Sequence, residues 1–138
     1  MNDKQCCRVI NHENKRIIAP DIEVAGSFFP RLRGLLGRKT LSAGEGMLLW
    51  PCNAIHCFGM RFPIDAIFLD HQYRVTHIKE NLTPYSLASD RQASGVLELK
   101  AGESRKHGLN VGDQLIICFA AGAVPDKEAR DKEKCGRR

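Results

Sequence analysis

Aromatic side chains are scarce: one Trp, two Tyr and six Phe in 138 residues. Trp50, Tyr73 and Tyr85 are too scattered to form a platform on which nucleic-acid bases stack. No apolar run approaches the ~18–20 residues of a membrane-spanning helix. The opening MNDKQCCRVINHENKR lacks the apolar core of a secretory signal, so a cytoplasmic location is expected. Phosphate loops are missing too, since neither GEG (44–46) nor GESRKHG (102–108) has the Gly-x-x-x-x-Gly-Lys-Ser/Thr pattern. The six cysteines (6, 7, 52, 57, 118 and 135) are even in number but not framework-like in spacing. Without a signal, reduced thiols are expected.

The net charge of +5 is weaker evidence of an acidic partner than it looks. Residues 1–20 hold four basic and two acidic side chains, and residues 125–138 hold six and four. The remaining 21–124 carry eleven against ten, so the excess sits at the ends rather than on a folded face. Nucleic acid is therefore not an expected partner. With 43% hydrophobic residues the chain is too apolar to be disordered throughout, and its length suits one domain.

Local patterning is mainly β. Cys7–Ile10 and Ile17–Ala19 flank a polar NHENK link and read as a hairpin, with Ile22–Val24 alternating beyond it. Ser27 is placed to cap a short helix through Leu36, with Gly37 as its stop. Met47–Trp50, Ala54–Met60, Ile64–Leu69, Arg74–Ile78, Val96–Leu99 and Gln114–Ala121 read as strands. Asn81–Ser94 reads as a long loop, and Ala101–His107 as one or two helical turns. The expected organisation is an N-terminal strand or hairpin segment (1–20), one β-rich domain (21–122) and a charged, disordered tail (123–138). The expected fold is a single-domain β-sandwich or barrel-like structure with one or two short helices.

Four blocks carry a family resemblance: RLRGLLGR (31–38), GEGMLLWPCNAIHCFGMRFPIDAIFLD (44–70), GVLELKAGESRKHGL (95–109) and GDQLI (112–116). In order and spacing they resemble the bacterial and archaeal domain of unknown function 192. The resemblance spans Ile22 to Cys118 and implies a mainly β, sandwich-like fold without an assigned activity. Many members place an aromatic-Met pair before an Asn-Thr segment. Here Phe58-Gly59-Met60-Arg61-Phe62 stands instead, so no role of that Asn or Thr transfers.

Several residues invite chemistry, each with a plainer alternative. Arg33 offers a guanidinium for a carboxylate or phosphate, or an anchor for its own helix. Cys52, His56, Cys57 and Met60 are soft donors of the kind that select copper(I) or zinc. In a continuous strand, however, Cys52 to Met60 would span roughly 26 Å, and no tight zinc spacing is present. Asp65 interrupts an apolar strand on the face of Ile67 and Leu69, so it should point inward and need partners. Glu98 stands between Leu97 and Leu99, where alternation favours an outward or cavity-facing side chain.

The leading expectation is a ligand- or partner-binding accessory domain, its pocket lined by Arg33, His56, Met60, Asp65 and Glu98. The ligand is an unspecified small molecule or protein, no cofactor is implied and no metal is assigned. The alternatives are an acid/base, hydrolase-like enzyme using Asp65 or Glu98 with His56, and a soft-metal protein.

Overall fold

The computed structural model describes residues 6–25, 40–57 and 60–120. The helix expected over Ser27–Leu36 and the charged tail lie outside them. Nine strands are described: β1 (Cys6–Asn11), β2 (Ile17–Ala25), β3 (Glu45–Leu49), β4 (Ala54–His56), β5 (Ile64–Leu69), β6 (Val75–Leu82), β7 (Leu87–Ser89), β8 (Gly95–Lys100) and β9 (Leu115–Phe119). One short helix, α1 (Glu103–Lys106), joins β8 to β9. Seven strands form one sheet in the order β6-β5-β8-β3-β2-β1-β9, and β4 pairs with β7 in a small ribbon. β2 and β3 run parallel, with Ile22 beside Gly46, while the other paired strands are antiparallel.

The large sheet curls into a half-barrel. Its two edge strands meet at their starts, where Val75 N–H donates to Asp113 C=O (2.9 Å), and Gly112 N–H to Val75 C=O (2.8 Å). Arg74 and Gln114 form a bridge between them. The inner face buries Val9, Ile22, Leu48, Ile67, Leu69, Tyr73, Leu97, Leu99, Leu115 and Ile117. The outer face buries Met47, Leu49, Ile64, Ala66, Phe68 and Val96 beneath Ile55 and Cys57, and beneath Ala88 of the ribbon. β5 is consequently buried at all six positions, and β8 at five of six.

Gly95 begins β8 for a steric reason. A Cβ there would sit 2.0 Å from Trp50 Cε3, so the bare backbone lets the indole lie against the strand. Trp50 in turn meets Tyr73 edge-on at 5.2 Å.

The sequence reading differs from the structure in three places. Asn81–Ser94 is not a plain loop, because Leu87–Ser89 pairs with Ala54–His56. The expected strand Ala54–Met60 stops at His56, and Met60 N–H then donates to Cys57 C=O (3.1 Å) in a turn. Cys118 is disulfide-bonded, against the expectation of reduced thiols, whereas Cys7 and Cys57 are buried free thiols.

Asp65 ties the end of β5 to two other elements. Its Oδ2 accepts from Gly102 N–H (3.1 Å), Ser104 N–H (3.0 Å) and Ser104 Oγ (2.7 Å). Its Oδ1 accepts from Asn81 N–H at 2.9 Å. Gly102 is the N-cap of α1, with φ 98°, and has no side chain to cap the helix, so a distant strand supplies the acceptor. Asp65→Ala should leave these buried donors unsatisfied and cost about 3 kcal/mol or more. Chemical denaturation measures this cost, and a loss below about 0.5 kcal/mol would contradict the role.

Candidate functional site

Asp65 and Glu98 occupy opposite faces of the sheet. Asp65 pairs in register with Leu99, whereas Glu98 lies between Ala66 and Met47 on the two neighbouring strands. Leu99 packs into the inner core, and Met47 and Ala66 into the outer layer. Side chains on directly opposed strand residues share a face. Glu98 therefore projects into the outer layer beneath the ribbon. No single cleft can use both carboxyls at close range.

Their surroundings differ as sharply as their directions. Both oxygens of Asp65 accept hydrogen bonds and its side chain is fully buried. Glu98 is 4% exposed, and its Oε1 has no hydrogen-bond partner among the described residues. Burial pushes the Glu98 carboxyl up to about 8, from an ordinary value of 4.5. A carboxyl so placed carries its proton near neutral pH and can donate as well as accept.

Cys57 belongs to the same layer. Its thiol is pushed up to about 11, first by burial and then by the nearby Glu98 charge. It is thus a neutral thiol rather than a ready nucleophile or metal ligand. Met60 is buried in the same apolar cluster as Cys57 and Met47. The turn after Cys57 is what brings Met60 here, and a continuous strand would have sent it elsewhere. His56 is exposed and lies on the other side of the ribbon from Ile55, which faces the layer. Arg33 lies outside the described residues. Of the five sequence-proposed residues, the structure thus gathers Met60 and Glu98 into one layer, puts His56 on the outside of its cover, and directs Asp65 to the opposite face.

Met47 is not a candidate in the sequence, and Cys57 enters there only as a soft metal donor. Their signal was present in the register, since Met47 is the cross-strand neighbour of Glu98. Among the described residues, no group of three or more His, Cys, Asp or Glu is placed to hold a metal ion. A separate open hollow of about 420 Å³ is lined by Trp50, Pro51, Cys52, Asn53, His71, Ala93 and Ser94. No described helix is long and apolar enough to cross a membrane.

Two solved structures share this architecture. A protein from Sinorhizobium meliloti 1021, provisionally described as a transcription regulator, is 27% identical with a TM-score of 0.69. The alignment covers 82% of this chain and 92% of that one. A protein of unknown function from Novosphingobium aromaticivorans DSM 12444 is 24% identical, also at a TM-score of 0.69. It covers 80% of this chain and 82% of its own, and at that identity it speaks for the fold alone. No curated protein shows significant similarity to the chain. The DUF192 family ("Uncharacterized ACR") matches residues 9–117, which take in most of the half-barrel, the Asp65 cap and the Glu98 layer. The chain belongs to that family.

Proposed function

We propose that this protein is a binding module whose recognition group is Glu98, set in the layer between the half-barrel and the β4–β7 ribbon. One observation carries the reading: a buried carboxyl oxygen without a partner, held among Met47, Ala66 and Cys57. Folding alone gives no reason to keep such a group, because an apolar side chain of similar size would avoid the desolvation cost. Local disagreement with the rules of stable packing is characteristic of functional positions. Met60 supplies a wall, His56 stands at the outer surface, and Asp65 serves the scaffold.

Acid/base catalysis has less support. Asp65 is occupied by four hydrogen bonds, and His56 and Glu98 lie on different sides of the ribbon layer. The provisional description of the Sinorhizobium meliloti protein finds little support in this chain's charge, which is balanced to +1 over residues 21–124.

Glu98→Met keeps the side-chain volume and removes the unpartnered oxygen. The raised carboxyl value means that the folded state holds a proton which the unfolded state releases above about pH 4.5. This contribution favours folding at low pH and is lost as pH rises through about 8. Its slope is at most ~1.4 kcal/mol per pH unit. The wild type should accordingly lose stability relative to Glu98→Met across that window, and the variant should be the more stable at pH 8. Paired denaturation curves check this. A variant less stable at every pH would make Glu98 a structural residue and remove the basis for the site.

A fragment library followed by backbone amide shifts tests the location. Hits should perturb Cys57, Met60 and Glu98. Hits confined to the hollow beside Trp50, or no hits at all, would contradict the assignment.

A further inference from the structure

Resting on the reading of Glu98 as a recognition group, the chemistry of its layer narrows the class of ligand. Around it, the cross-strand neighbours Met47 and Ala66 and the nearby Cys57 are apolar or soft. Among the described residues no cation offsets the carboxyl, which is raised by burial. A second acid brought into this layer would meet Glu98 without a counter-charge. A neutral donor would satisfy Oε1 but leave the charged form of the carboxyl as unfavourable as before. An ammonium group does both: it donates to Oε1 and supplies the missing positive charge. Thioether and methyl groups then suit a hydrocarbon stem rather than a polar one.

We propose that the Glu98 site binds a primary amine carried on an apolar stem, with the ammonium paired to the Glu98 carboxylate and the stem lying among Met47, Cys57 and Met60. The proton balance is explicit. Glu98 gives its proton to solvent as the ammonium arrives, and the amine keeps its own. Binding therefore releases up to one proton per ligand at pH values where the free site is protonated.

Three probes of equal chain length separate the outcomes: hexylammonium, hexanol and hexanoate, each titrated calorimetrically into the full chain. Hexylammonium should bind most tightly. Its affinity should rise from about pH 6 to about pH 8, by up to ~10-fold per pH unit. Titrations in buffers of different ionisation enthalpy should report proton release. Glu98→Gln, which keeps an acceptor oxygen without the charge, should weaken the amine by ~10-fold or more and flatten the pH dependence. Its thermal melt confirms that it is folded.

Hexanol binding as tightly as the amine, with no pH dependence, would overturn the ammonium assignment and leave the binding module intact. Hexanoate preferred, with affinity falling as pH rises, would do the same, with Glu98 acting as donor. If none of the three binds and the fragment library also fails to perturb Cys57, Met60 and Glu98, the site itself is refuted. Fragment hits at those residues without amine binding would refute the amine class alone.

Discussion

Two strands, β5 and β8, are covered on both faces, and that constraint organises the rest of the structure. A polar side chain in such a strand has no solvent to fall back on, so it must find partners in the protein or remain costly. Asp65 and Glu98 are the two carboxyls caught there, and they resolve the constraint in opposite ways. Asp65 faces the inner side near the rim, where backbone donors of α1 and β6 converge on it. Glu98 faces the outer side, where neighbouring positions carry Met47 and Ala66. The first is consumed by the scaffold, and the second is left with chemistry to offer.

The cover over Glu98 comes from sequence-distant pieces. Ile55 and Cys57 arrive from the segment after β3, and Ala88 from β7, both brought over the sheet by a ribbon of three-residue strands. This second layer, more than strand alternation, sets the carboxyl's environment. The same cover raises Cys57 and keeps its thiol neutral, which removes the most obvious nucleophile from the layer. The layer is better suited to holding a group than to reacting with it.

Much of the fold was legible in the sequence. The hairpin at NHENK and the apolar run Ile64–Leu69 signal themselves by alternation and turn residues, and the structure pairs the strands flanking NHENK and makes Ile64–Leu69 a strand. β7 was not legible, because Leu87–Ser89 is short, sits in a polar stretch and becomes a strand only by pairing with β4. The site was readable in part. Alternation correctly sends Asp65 inward with Ile67 and Leu69, and correctly sets Glu98 on the other face. It could not reveal that the other face is also buried, since that depends on tertiary packing. Nor could it place Met60, because the strand ends at His56 and Met60 N–H bonds back to Cys57 C=O.

The chemistry of the layer depends on the state of one carboxyl. Labelling glutamate side chains with carbon-13 and following the Glu98 carboxyl signal, assigned by Glu98→Gln, against pH measures that state directly. The midpoint should lie near 8 in the ligand-free protein. A midpoint in the ordinary carboxyl range, near 4.5, would mean that Glu98 is hydrated or already partnered, and would contradict the proposed site.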